Sequence, residues 1–420
     1  LLTPVFKRET MPKIFGPLTK ESPSITLALN SKAAQMAVTA PVFNLTVGAP
    51  HLPPSEDILS KFSGEVSDGT LYKYGDTAGQ LDVRKVVASH LSAQLHVDVL
   101  PEKIVITPGT KSALSWGYQT LAGPGGVAVI PTPAWVSHLA APKLLGIEVV
   151  ELPTTSDTAF KVSPDALRNC LGKLDSSRLT VMLLNSPSNP TGAFYSAEEL
   201  KALAAVLREF PWVSVLEDGI YAGLCYFGVK YVSMLEVAPD LSERLIWVGG
   251  TAKEFGQPGA RIGFLFAPGK EKFQPNGLTL AEVVGALQGH VTGSAAKPME
   301  RLARLTVSGG DQYSKQLHQE YEKNIASILE AESSLSRYLV LKTKPKAGLF
   351  AYFELTSEAQ KKFPGAKDFC QFLMESARVV LVPCEEFADP TGVRMSFAVK
   401  NETLAGALKA MAETLSTLSD

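Results

Sequence analysis

Chemistry-bearing residues recur directly after apolar runs along the middle of this chain. The run 103–107 is followed by Pro108-Gly109-Thr110-Lys111-Ser112, which opens a helical stretch. A small-residue turn at a helix N-terminus presents free N–H groups and the positive end of the dipole, which suits a phosphate. Lys111 sits against that dipole, a placement that either a bound anion or simple solvation would reconcile. After 126–130 comes Pro131-Thr132-Pro133-Ala134-Trp135, whose indole could stack on a planar ring or fill the core. After 180–184 comes Asn185-Ser186-Pro187-Ser188-Asn189-Pro190-Thr191-Gly192, a rigid loop with side-chain amides. After 213–216 come Glu217, Asp218, Gly219, Ile220 and Tyr221. Two acids ending an apolar strand are costly to desolvate unless a cation meets one of them. After 245–248 comes Gly249-Gly250-Thr251-Ala252-Lys253-Glu254-Phe255-Gly256, with Arg261 further on. An anion cradle, an aromatic plane, amides, an acid and a lysine fit one kind of ligand: planar, bearing a phosphate and a protonatable ring nitrogen.

These groups share a place only if the runs are neighbouring strands. From about residue 100 to 270 short apolar segments alternate with helical patterns such as 112–121 and 197–210, the latter with Ser196 as N-cap. Several segments are rich in Val, Ile and Leu without polar alternation, as strands covered on both faces require. The pattern predicts an α/β fold with a doubly wound, mostly parallel sheet, in which ligands bind outside the carboxyl ends of the strands. Beyond residue 280 long helices run to about 340, then short strands at 349–355, 379–382 and 393–397, then a closing helix from about 403. The expected organisation is an arm and part of a small domain over 1–50, a large domain over 51–290 and a small α/β domain over 291–420, so that both termini build the small domain.

Composition sets outer limits. The 420 residues carry a formal net charge of −2, with 45% hydrophobic and 20% charged residues, as in ordinary soluble domains. No block of Lys and Arg suggests nucleic acid or an anionic membrane as a partner. Four cysteines without a C-x-x-C pair and scattered histidines argue against a disulfide framework or a metal site. No apolar run reaches the ~18 to 20 residues that span a bilayer. Residues 1–20 lack a signal-peptide apolar stretch, so the cytoplasm is the expected compartment, with an organelle left open.

The loop 185–192, Asp218-Gly219-Ile220-Tyr221, Gly250-Thr251-Ala252-Lys253-Glu254-Phe255, Arg261-Ile262-Gly263 and Val393-Arg394-Met395-Ser396-Phe397-Ala398 together resemble the signature set of fold-type I, class I/II aminotransferases, in order and spacing, from about Ser22 to the C-terminus. That resemblance implies pyridoxal 5'-phosphate (PLP) as cofactor, held by Lys253 as a Schiff base. Lys253 would also move the proton between the substrate Cα and the cofactor, which requires a partly deprotonated amine. Asp218 would pair with the pyridine nitrogen, Tyr221 and Asn189 with the phenolic oxygen, and Trp135 would stack on the ring. Gly109, Thr110 and Arg261 would bind the phosphate. Arg394 would clamp the substrate carboxylate beside the Gly48 backbone, the alternative being a surface ion pair. Tyr74, in Tyr72-Lys73-Tyr74-Gly75, matches the tyrosine that reaches the partner subunit's phosphate, implying a homodimer with composite sites. His138 reads as a local packing or hydrogen-bonding residue, and His290 as a candidate substrate contact.

Some positions depart from the family pattern. Gly250 and Ala252 stand where many relatives have serines, Ala260 where tryptophan is common, and Gly48-Ala49-Pro50-His51 where Gly-Glu-Pro-Asp is common. Lys111 resembles a lysine that, in one subgroup, recognises the side-chain carboxylate of acidic substrates. The expected activity is therefore transfer of an amino group from an amino acid to a 2-oxo acid, favouring aspartate- or glutamate-like substrates. The alternative is a PLP-dependent lyase, cyclase or oxidase using the same site, because one carbanionic intermediate has several exits.

Overall fold

In a computed structural model, which describes residues 25–418, the apolar runs of the middle region lie side by side. The strands are β1 (Phe43–Asn44), β2 (Ile104–Thr107), β3 (Val127–Thr132), β4 (Glu148–Pro153), β5 (Thr180–Asn185), β6 (Val213–Asp218), β7 (Leu245–Gly250), β8 (Gly263–Phe266), β9 (Leu339–Leu341), β10 (Phe350–Leu355), β11 (Val379–Val380), β12 (Val382–Pro383) and β13 (Gly392–Ser396). Seven of them form one sheet in the order β2-β8-β7-β6-β5-β3-β4. Pairing is parallel from β7 through β4, while β8 runs antiparallel to both β7 and β2. The β5–β6 register sets Asn185 opposite Asp218, and β6–β7 sets Asp218 opposite Val248. The strand ends that carry the candidate chemistry therefore adjoin.

Helices cover both faces, as the unbroken Val/Ile/Leu runs require. Thr110–Leu121 begins two residues earlier than its pattern suggests, straight out of β2. Ala197–Glu209 opens with a reciprocal capping box between Ser196 and Glu199. The long helical region resolves into Leu280–Val291, Lys297–Gly309 and Asp311–Leu335. Ala295 and Ala303 pack into the core beneath the large sheet and Leu302 packs beside Ile58, whereas Leu317 and Ile325 join the second core. Core membership thus changes near Gly310.

The second core surrounds a sheet of order β12-β13-β10-β9 and a parallel pair, β1 with β11. That pair joins residues near the start of the described chain to its last third, with Phe43 opposite Val379. Helix Ile25–Ala37 adds Ala33 to a small cluster with Met374 and Val380. The expected strand at 379–382 is in fact two, because the chain passes at Leu381 from β1's partner to β13's partner. β9 is too short to leave a periodic signal. The expectation for residues 1–20 lies outside the described residues. Among the described residues, no helix is long and apolar enough to cross a membrane, and no cluster of potential metal ligands occurs.

The two acids at the end of β6 part company because successive strand residues face opposite ways. Glu217 is fully buried and meets no cation among the described residues; it accepts from Tyr231 Oη at 2.6 Å, Ser233 Oγ at 2.9 Å and Met234 N at 3.2 Å. Burial raises its carboxyl to about 7, against the pull of these donors. Native Glu217 thus retains a proton that the unfolded chain releases near pH 4.5. Its stabilising contribution is complete below that value and is lost as pH rises through about 7, by roughly 3 kcal/mol in all. Glu217→Gln, which mimics the protonated acid, is expected to flatten this dependence. Urea midpoints at pH 5.5 and 8.5 should lie closer together in the variant than in the wild type; an equal spacing would count against a neutral Glu217.

Candidate active site

Asp218 faces the other way from Glu217, to the side where the strands end. Its Oδ2 lies 2.8 Å from His138 Nε2, both side chains being buried, and its Oδ1 accepts from Ile220 N at 3.1 Å. His138 belongs to helix Val136–Leu144, and its ring meets that of Trp135 edge-on at 5.2 Å. The histidine that reads from sequence as a local packing or hydrogen-bonding residue is the hydrogen-bond partner of the acid itself. Its position three residues past Trp135, on the same helical face, is the available signal.

Opposite the acid, the chain packs backbone against backbone. Gly109 caps the helix at φ +86°, and a Cβ there would come within 2.5 Å of Arg261 Nη2. A Cβ on Gly263 would come within 2.7 Å of Thr110 N. Thr110 Oγ1 donates to Gly249 O at 2.9 Å, tying the helix start to the end of β7. The first N–H groups of this helix have no acceptor within it. Two cations attend them. Arg261 holds Pro258 O at 3.0 Å, and Lys111 Nζ stands 5.0 Å over the Trp135 ring. Loss of water and then Arg261 lower the Lys111 amine. Among the described residues neither makes an ion pair with a carboxylate.

Lys253 follows β7 on the short helix Thr251–Glu254, and its Nζ donates to Gly48 O. Burial, and then the positive charge of Arg394, bring the amine down to about 8; Asp218 works in the opposite sense. Arg394, on β13, is fully buried rather than part of a surface pair. Its Nη1 donates to Asn189 Oδ1 at 2.9 Å and its Nη2 to Thr46 O at 2.8 Å. The guanidinium lies between two rings, 4.2 Å from Phe350 and 5.3 Å from Phe387. Among the described residues it too has no carboxylate partner, and its Nε has no partner of any kind. Burial raises the Tyr221 hydroxyl, while Arg394 and a hydrogen bond with Asn189 oppose that rise.

These groups share one cavity of about 300 Å³, lined by every site residue expected from the sequence except Gly109, Tyr74 and His290. Gly109 underlies the Arg261 guanidinium, and Tyr74 stands fully exposed elsewhere on the surface, beside the segment 292–297. His290 does not reach the cavity. The sequence did not disclose Phe350, or Thr26, Leu27 and Asn30 of the first helix, all of which line it. Their apolar or small polar character is shared with dozens of core and surface positions, so nothing marked them.

The model of the family described as aminotransferase class I and II matches residues 40–411. The chain belongs to the class I and II aminotransferases. Among its relatives, the aspartate aminotransferase of Geobacillus stearothermophilus is 29% identical over 92% of this chain and 95% of its own length. The aspartate/prephenate aminotransferase of Nitrosomonas europaea is 26% identical over 94% and 97%. The aspartate aminotransferase of Thermus thermophilus superposes with a TM-score of 0.85 at 25% identity, over 96% of this chain and 100% of that one. This aminotransferase thus has the fold expected of it, a mostly parallel central sheet with a smaller α/β unit.

The depressed amine gives a direct test. Lys253 should react with acetic anhydride with a midpoint near pH 8, whereas a solvated lysine titrates near 10.5. Mass-spectrometric labelling across pH 6 to 11 would show it; a midpoint above 10 would contradict the desolvated, cation-flanked environment.

Proposed function

We propose that the cavity binds PLP and transfers an amino group between an amino acid and a 2-oxo acid, with acidic substrates preferred. The observation that carries this reading is a lysine amine brought down to about 8 sharing one cavity with a buried guanidinium that has no carboxylate partner among the described residues. The residues present fit the cofactor. Arg261, Thr110 and the N–H groups after Gly109 form a cationic cradle that no carboxylate meets among the described residues. Asp218, backed by His138, offers a buried carboxylate for a ring nitrogen, and Trp135 offers a face. When bound, PLP supplies an aldehyde that takes up the amino group and a ring that accepts the electron pair released at Cα.

The protein's part is binding and proton handling. Arg394 receives the substrate α-carboxylate through its free guanidinium edge, its fork fixed by Asn189, Thr46 O and the two flanking rings. Lys253 removes the Cα proton and returns one on the product side, a task suited to an amine with a pKa near the working pH. Asp218 would hold the proton on the cofactor's ring nitrogen, with His138 fixing the carboxylate's orientation, and Tyr221 and Asn189 would hydrogen-bond its phenolic oxygen.

Lys111 supports the substrate preference. Its ammonium hangs over Trp135 at the cavity, unpaired with any carboxylate among the described residues. Relatives carry the name aspartate aminotransferase, and the Thermus thermophilus neighbour was determined with maleate, a dicarboxylate. The exposed Tyr74 supports a two-fold homodimer in which each subunit's tyrosine reaches the other's phosphate.

Lys253→Ala is expected to abolish turnover and the visible absorbance of the lysine-bound cofactor; retained activity would remove the core of the proposal. Arg394→Ala should raise KM for every amino-acid donor about 100-fold, the loss of roughly 3 kcal/mol from a charge-assisted bidentate contact. Lys111→Ser should lower kcat/KM for aspartate about tenfold more than for alanine. Equal losses for both donors would make Lys111 a cofactor contact and not a specificity residue.

A further inference from the structure

The segment that begins at exposed Tyr74 is anchored with buried polar groups to an extent its surface position does not call for. Glu300 on helix Lys297–Gly309 is fully buried, and its Oε2 accepts from Gln80 N at 2.7 Å. Its Oε1 has no partner among the described residues. Gln288 on helix Leu280–Val291 is also fully buried, and its Nε2 donates to Thr77 O at 2.6 Å and to Ile106 O at 2.8 Å. Its Oε1 accepts from Trp116 Nε1 at 3.2 Å. Arg84 closes the set, donating to Gly79 O at 3.0 Å and to Asp76 Oδ2 at 3.1 Å. Gly79, at φ +91°, lies so close that a Cβ would come within 2.6 Å of Ile106 and 3.2 Å of Glu300 Oε2.

Burying a carboxyl and an amide is expensive, and a loop that only connects two helices could be bound by surface contacts. Here the turn after Tyr74 is held at successive backbone groups, Thr77 O, Gly79 O and Gln80 N, while the tyrosine itself touches no core. Fixing the turn fixes the direction in which the tyrosine leaves the surface. Through Ile106 O and Trp116, Gln288 also references that direction to the strand and helix flanking this subunit's own Gly109 turn.

We propose that Glu300, Gln288 and Arg84 are positioning residues for the neighbouring subunit's site: they hold the 75–80 turn so that Tyr74 is presented to the partner's cofactor phosphate. This rests on the composite-dimer reading above. Each subunit's Glu300 then serves the other subunit's cofactor.

The test is a PLP titration, read by the absorbance of the lysine-bound cofactor, on dimers whose mass is confirmed by sedimentation. Glu300→Leu and Tyr74→Phe should each raise the PLP Kd about tenfold, and the double variant no further, because both act through one contact. Glu300→Gln, which keeps the acceptor oxygen, should recover the loss. In a hybrid dimer pairing a Lys253→Ala subunit with a Glu300→Leu subunit, the single lysine-bearing site receives its tyrosine from the subunit with native Glu300. That site should bind PLP as the wild type does. Additive losses in the double variant, a weakened hybrid, or dissociation of the Glu300→Leu dimer would each overturn the proposal. If Tyr74→Phe alone leaves Kd unchanged, the composite-dimer reading fails first and takes this inference with it. If Glu300→Leu does not fold, Arg84→Gln, nearer the surface, enters the same cycle and the same hybrid.

Discussion

Lys111, Lys253, Arg261 and Arg394 line a single cavity together with one carboxylate, that of Asp218. Like charges in a poorly hydrated space raise one another's energy, and two of the amines respond by giving up protons more readily. The two guanidinium groups are stabilised by carbonyl oxygens, an amide and aromatic faces, and among the described residues neither has a carboxylate partner. An anionic ligand of the kind proposed above would relieve this imbalance.

Holding such a set together demands rigid supports, and three of the four cations show theirs plainly. Arg394 projects from β13 and is clamped between Phe350 and Phe387. Lys253 leaves the end of β7, and Arg261 lies on the turn leading into β8. Glycines let the supports close in: at Gly109 the Arg261 guanidinium occupies the space of a side chain, and Gly250 does the same for Thr110 Oγ1 at 2.7 Å.

The stretch from Leu45 to Gly48 joins the two cores. Leu45 N donates to Val380 O, and Ser396 N donates to Leu45 O. Thr46 O then accepts from Arg394, Val47 O from Ser396 Oγ, and Gly48 O from Lys253. One extended segment therefore carries the lysine of the large sheet and the arginine of the smaller one on nearby carbonyls. Any shift of one core against the other changes the distance between amine and guanidinium.

The strand ends, and the residues placed on them, are legible in the chain alone. Unbroken Val/Ile/Leu runs announce strands buried on both faces, and in a parallel sheet the loops leaving those strands must gather at one edge. Lys253, Asp218, Asn189, Thr110 and Trp135 stand out for that reason. Arg394 lies far along the chain, and only its motif pointed to it. Folding settled the rest: that His138 backs Asp218, that Glu217 is met by neutral donors, that Phe350 covers Arg394, and that the first helix closes the cavity. Those are contacts between side chains on different elements, set by how helices and sheets pack at close range, and such packing leaves no periodicity in the chain from which it could be read.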